Sequence, residues 1–229
     1  MPSAADPRVG TEDGETEGDR HLRKTALVVL ALLCMAPGPG WAKTLPRPAA
    51  VPETIATAVA SQSHGRIFLL RGLLNVFSLG MDTLARKIRS QGLPAEVTNF
   101  TNWRGFANVL IDQYRTDKSL APVVIIGHSL GADSSIDMAN YLGSRGVPVR
   151  LVVAFDGVHA GHTVGPGIAE VINYYKSDGV GKQIKAGRGF TGRLTNVDVS
   201  DRKGIDHLNI EKSPALHAEV LAKLKAIFN

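Results

Sequence analysis

From Arg66 onward the apolar positions fall in short runs separated by longer amphipathic stretches. Arg66-Ile67-Phe68-Leu69-Leu70-Arg71 is a short apolar run closed by Gly72, which predicts a strand. Met81 to Ser90 sets Leu84, Ala85 and Ile88 at helical spacing and stops at Gly92. Ala95 to Phe100 predicts the next strand, and Phe106 to Tyr114 the next helix, with Val109, Leu110 and Ile111 on its stripe. Pro122-Val123-Val124-Ile125-Ile126 is a continuous run dominated by β-branched residues, the pattern of a central strand covered on both faces. A helix over Leu130 to Leu142 and a buried strand over Val149 to Phe155 follow, then strands over Val171 to Tyr175 and Leu194 to Val199. Pro214 to Phe228 is amphipathic, with Leu216, Val220, Leu221, Leu224 and Ile227 on one side. Strands that alternate with helices predict an α/β fold: a mostly parallel sheet of about six strands with helices on both faces. Gly179 to Gly192, rich in Gly, Lys and Arg, reads as a flexible loop.

The first 42 residues do not share this alternation. Residues 1–20 are acidic and polar, Arg20, His21, Arg23 and Lys24 are basic, and an unbroken apolar run extends from Ala26 to Ala36. Pro37-Gly38-Pro39-Gly40 breaks the run, and Gly40 and Ala42 stand at −3 and −1 of a cleavage point. A basic region, a short apolar region and a small-x-small site predict a signal peptide with a polar N-terminal extension over 1–42. The apolar run spans only about 16 Å as a helix against a hydrocarbon core of about 30 Å, so no stable membrane insertion is expected. The expected organisation is 1–42 leader, 43–65 linker with a short helix from Val51 to Ala60, and 66–229 folded domain, in a secreted or periplasmic protein.

Composition narrows the field. At 44% hydrophobic and 21% charged, the chain has enough apolar area to offset chain entropy and is not a disordered polymer. A single cysteine excludes a disulfide scaffold and a cysteine-ligated zinc module. The net charge of +5 by itself suits nucleic acid, but the aromatic fraction is 6% and no recognition motif is present, so no nucleic-acid partner is expected.

The chemistry concentrates in Gly127-His128-Ser129-Leu130-Gly131, which follows the β-branched run and opens a helix. This is G-x-S-x-G in the strand–turn–helix setting that a nucleophile elbow requires. The turn is so tight that side chains two before and two after the serine would collide with neighbouring backbone, hence the glycines. The serine hydroxyl is lifted above the sheet edge, and the N–H groups at the helix start face any negative charge forming beside it.

With that motif the chain resembles the α/β-hydrolase superfamily over roughly residues 64–229, closest to small secreted lipase/esterase and thioesterase-like members without a lid domain. The resemblance implies an oxyanion hole from the Leu130 N–H and from the N–H of Leu73, which follows Arg71-Gly72; Arg71 stands where the family often has histidine. It implies the chain order serine, acid, histidine. His207, in Gly204-Ile205-Asp206-His207-Leu208, falls between the last strand and last helix and is the expected base. Asp156 ends the strand after the nucleophile strand, the thioesterase-type position for the acid; many other hydrolases would use the following strand, pointing to Asp178. Asp201 and Asp206 lie near His207 and read as turn residues. His128 is expected to point away from the nucleophile, and His217 to be a surface or packing residue.

Asp156, His159 and His162 form a D-x2-H-x2-H cluster, but Gly157 and Gly161 disfavour a ligand-bearing helix and the spacing matches no zinc pattern. No metal and no cofactor are expected. His159 and His162 are read as lining the mouth of the site. Gly157 to Gly167 is too short for a helical lid, so an open cleft is expected, with Leu73, Phe77, Phe155 and Val158 shaping an acyl pocket. Lys182, Lys185, Arg188 and Arg193 read as a solvated basic loop. The expected function is an exported serine hydrolase acting on a small-molecule acyl ester through Ser129, His207 and Asp156. Thioesterase or acyltransferase activity with the same residues, and a non-catalytic secreted binding protein, are the alternatives.

Overall fold

The structure, a computed structural model, describes residues 64–73 and 78–229. The expected leader, the short helix at 51–60 and Phe77 lie outside the described residues. Among the described residues, eight strands and four α-helices follow in the order β1 (Arg66–Arg71), α1 (Leu79–Arg89), β2 (Ala95–Asn99), α2 (Trp103–Tyr114), β3 (Val123–His128), α3 (Leu130–Gly143), β4 (Val149–Phe155), β5 (Thr163–Val164), β6 (Glu170–Tyr175), β7 (Lys185–Ala186), β8 (Arg193–Asp198) and α4 (Pro214–Phe228). Six strands form one sheet in the order β2-β1-β3-β4-β6-β8, and every neighbouring pair is parallel.

Period-two alternation assigns side chains to two faces. Phe68, Leu70, Val123, Ile125, Val152 and Ala154 pack with α2 and α3. Ile67, Leu69, Val124, Ile126, Leu151, Val153 and Phe155 pack with α1 and α4. All six residues of β3 are buried, as a strand sandwiched between helices requires. The edge strands β2 and β8 instead mix Glu, Asn, Thr, Arg and Asp into partly exposed positions, which discourages pairing with another chain. At α4, Ser213 accepts the Leu216 N–H and Pro214 opens the first turn, where a missing N–H costs nothing.

The segment read as a loop contains a strand. Lys185–Ala186 pairs in parallel with Thr163–Val164 as a second, two-stranded sheet. Asn196 of β8 pins it, accepting the Ile184 N–H and donating to the Ile184 carbonyl, and Ile184 is buried. Its local composition is too polar and glycine-rich to announce a strand; the pairing partner lies about twenty residues away. Residues 157–167 contain no helix. No helix among the described residues is long and apolar enough to cross a membrane.

The chain leaves β1 to build β2 on one side and then returns to build β3 on the other. Loops after β1 and β3 therefore diverge, and the crevice between them opens at the carboxyl ends of the strands, where open α/β sheets bind ligands.

Candidate active site

Ser129 sits at that crevice, between β3 and α3, with φ 56° and ψ −125°. A non-glycine residue with positive φ is strained and persists only where its surroundings enforce it. A Cβ on Gly127 would overlap the Gly131 carbonyl, and one on Gly131 would overlap the Leu70 carbonyl. The Ser129 N–H is also tied to the Phe155 carbonyl at 2.9 Å, joining the elbow to the end of β4. One residue further along β4, Asp156 is the second positive-φ non-glycine residue, at 53°, and its N–H bonds the Tyr174 carbonyl.

These two strained turns and the loop before α4 bring three side chains together. His207 Nε2 lies 3.1 Å from Ser129 Oγ, and His207 Nδ1 lies 2.7 Å from Asp156 Oδ2. Asp156 is fully buried, and its other oxygen accepts the Lys176 N–H at 2.8 Å, so the carboxylate is fixed from both sides. A Cβ on Gly181 would overlap Asp156 Oδ1, so only glycine lets that loop pass. The alternative acids are elsewhere: Asp178 is exposed and paired with Lys176 at 3.1 Å, and Asp206 accepts the Leu208 N–H as a turn residue.

The segment after β1 lies alongside the serine. A Cβ on Gly72 would come within 2.9 Å of the His128 carbonyl and 3.1 Å of Ser129 Cβ, so Leu73 follows immediately beside the elbow. The Leu130 N–H, first of α3, has no acceptor among the described residues. Arg71 turns away to grip Asp82 of α1 with two hydrogen bonds, of 2.9 and 2.5 Å, which anchors that helix rather than the site. This mutual bond raises the Arg71 pKa and lowers that of Asp82.

His128 is a participant that the sequence reading left idle. It is buried, its Nε2 lies 2.8 Å from the His207 carbonyl oxygen, and its Nδ1 lies 2.9 Å from Ser78 Oγ. Burial, followed by repulsion from His207, pushes its pKa down to about 4, so the ring is neutral at ordinary pH. A carbonyl only accepts, so the proton is on Nε2 and Nδ1 accepts from the Ser78 hydroxyl. Ser78 Oγ in turn accepts the Gly72 N–H at 3.0 Å. One relay therefore connects the loop after β1, the elbow and the histidine loop. Only the histidine inside G-H-S-x-G hinted at it; Ser78 carried no sequence signal.

His217 is buried rather than on the surface, with Nε2 at 2.7 Å from the Glu211 carbonyl. Glu211 is itself buried, and neither carboxylate oxygen has a hydrogen-bond partner among the described residues. Burial pushes its pKa up to about 6.

Asp156, His159 and His162, close in sequence, do not form one cluster in the fold. Asp156 faces His207, and His159 and His162 converge on Asp133 of α3 instead, at 2.7 Å and 3.7 Å. Asp133 also accepts the N–H groups of Val158 and His159 at 3.3 Å each, so the turn after Asp156 is folded around it. In sequence Asp133 reads only as a polar residue in the first turn of a helix.

The all-parallel sheet, the elbow after its central strand and the serine–acid–histidine chain order together decide the architecture. The chain has the α/β-hydrolase fold. No family model matches it, and no curated protein matches it. Among solved structures it is similar to a hydrolase candidate of the alpha/beta superfamily from Xanthomonas campestris pv. campestris, at 20% identity and TM-score 0.39, covering 69% of this chain and 99% of that one. It is also similar to YbtT, a type II thioesterase from a yersiniabactin biosynthetic pathway, at 10% identity and TM-score 0.43, covering 74% and 96%. A third is RedJ, a thioesterase of prodiginine biosynthesis in Streptomyces coelicolor, at 11% identity and TM-score 0.37, covering 96% and 99%.

Proposed function

We propose that this α/β-hydrolase-fold chain is an exported serine hydrolase that cleaves small-molecule carboxylic esters. The observation that carries the reading is the continuous hydrogen-bonded line Ser129 Oγ, His207, Asp156, with the acid buried and the serine held at positive φ. An alcohol is a weak nucleophile, so an adjacent base must take its proton, and the base must itself be oriented. His207 Nε2 accepts the Ser129 proton as Oγ attacks the acyl carbon, while Nδ1–H stays on the Asp156 carboxylate. The resulting oxyanion faces the N–H groups of Leu130 and Leu73. The tetrahedral adduct collapses, the C–O bond to the leaving alkoxide breaks, and His207 gives it the proton. Water, deprotonated by the same nitrogen, then attacks the acyl-enzyme, and Ser129 leaves with the proton restored.

Thioester cleavage is the second reading, favoured by the acid at the end of β4, which adjoins the nucleophile strand β3. The same steps apply with a thiolate as leaving group. Export rests on the basic–apolar–small pattern of residues 20–42.

A fluorophosphonate probe tests the reading. Wild-type protein should be tagged once, at Ser129, and Ser129→Ala should not be tagged. Untagged but folded wild-type protein would leave the binding-protein alternative. An ester series of rising acyl length, run beside acyl thioesters, separates the two hydrolytic readings.

A further inference from the structure

Behind the turn that follows Asp156 is a second polar cluster that the triad does not use. Asp133, His159 and His162 each offer one ligand atom, and these atoms all lie within 4.8 Å of one another. They line a small void of about 10 Å³ together with Asn173, Gly157, Lys182 and Ile184. That is about the room one water-sized body needs.

Asn173 supplies an independent observation. It is fully buried in β6, and its amide nitrogen donates to the Lys182 carbonyl and to Asn196 Oδ1, both at 2.8 Å. Two acceptors fix which end of the amide is nitrogen, so Oδ1 is set by the network. That oxygen has no hydrogen-bond partner among the described residues. A buried carbonyl oxygen left unpaired is costly, and Asn173 is one of the residues that line the void.

We propose that Asp133, His159 and His162, with Asn173 lining the same void, form a binding site for one divalent transition ion of the zinc class. Two imidazoles and a carboxylate are a borderline-soft set that suits zinc, whereas an all-oxygen shell would suit calcium or magnesium. Tetrahedral zinc with bonds of about 2.0–2.1 Å spaces its ligand atoms about 3.3 Å apart. Asp133 Oδ2 lies 2.7 Å from His159 Nδ1 and Asp133 Oδ1 lies 3.7 Å from His162 Nε2, and the three ligand atoms all lie within 4.8 Å of one another, so side-chain adjustment rather than a change of backbone seats the ion. Gly157 allows the approach: a Cβ there would come within 2.8 Å of Asp133 Oδ1. His159 is largely exposed and gives the ion a route in. Lys182 borders the void, and its backbone is bonded to Gly157 and Asn173. The ion is structural in this reading. It ties the segment following Asp156 to α3, one helical turn from Ser129, whose carbonyl accepts the Asp133 N–H.

The test is zinc titration of the chelator-stripped full chain by calorimetry, with the thermal midpoint followed in parallel. The expected result is one zinc per chain and a midpoint that rises with zinc. His159→Gln, exposed and tolerable to the fold, and His162→Gln should each weaken binding by more than about tenfold and remove the thermal shift. Asp133→Asn keeps one of the two oxygens that accept the Val158 and His159 N–H groups but should lose the ion. No zinc binding would overturn the proposal and leave a hydrogen-bonded cluster of Asp133 with the two histidines. Equal affinity in wild type and the double histidine variant would also overturn it, placing the zinc elsewhere. Neither result depends on fluorophosphonate labelling, so the site stands or falls apart from the proposed activity.

Discussion

The Nε2–H of His128 donates to the main-chain oxygen of His207, the residue whose ring faces Ser129, across 2.8 Å. The two rings lie 5.2 Å apart, so the buried imidazole both holds the histidine loop and packs beside its ring. In the proposed reaction His128 is thus a positioning residue, acting through His207. Misplacement of a reacting group by about 1 Å can cost about 100-fold. His128→Ala should lower kcat for ester hydrolysis by about 10–100-fold with little change in KM. Ser78→Ala, which strands Gly72 N–H and His128 Nδ1, should destabilise the fold by about 1–3 kcal/mol in chemical denaturation. Unchanged kcat in His128→Ala would remove the positioning role.

The relay has an acid limit. The folded-state pKa of His128 is depressed to about 4 from an ordinary value of 6.5. Its contribution to stability is therefore complete above about pH 6.5 and is lost as pH falls toward 4, because the unfolded chain takes the proton first. Wild type should lose on the order of 3 kcal/mol more than His128→Gln between pH 7 and 4.

Glu211 has the opposite sign. Burial raises its pKa to about 6 against the attraction of Lys212 at 3.7 Å and of His207. Stability linked to its protonated form is present below about pH 4.5 and falls as pH rises through 6. Glu211→Gln should therefore gain stability relative to wild type by about 1–2 kcal/mol on going from pH 4 to pH 8, read from urea midpoints at each pH. A difference that does not vary with pH would contradict it.

The two candidate acids separate cleanly. Asp156→Asn leaves the shape but removes the charge that holds the imidazole, and should cut kcat by about 10⁴-fold. Asp178→Asn, at an exposed pair with Lys176, should leave kcat near wild type. Comparable losses in both would reassign the acid.

The elbow glycines are set by backbone overlap. Gly131→Ala would push a methyl into the Leu70 carbonyl, so α3 must move off β1. Overpacking at a rigid contact costs about 1–3 kcal/mol or more. Reduced stability together with loss of fluorophosphonate labelling is the expected pair of results; a fully labelled, equally stable variant would show the approach is not tight.

The sequence by itself determined the elements and the layers. Six main strands and four helices were legible because each strand's apolar alternation and each helix's stripe is local, and because G-x-S-x-G carries its own backbone geometry within five residues. The serine was legible for the same reason, and His207 because only one histidine falls between the last strand and the last helix. The tertiary structure alone decided what depends on contacts between distant segments. It separated Asp156 from Asp178, since both end strands in sequence and only one meets His207. It set His159 and His162, read in sequence only as lining the mouth of the site, against Asp133, about 25 residues away, and it found β7 by its pairing with β5. It also turned His128 from a bystander into a link. Periodicity reports which face a residue occupies; hydrogen-bond direction and convergence between loops are properties of the folded chain, and no local pattern encodes them.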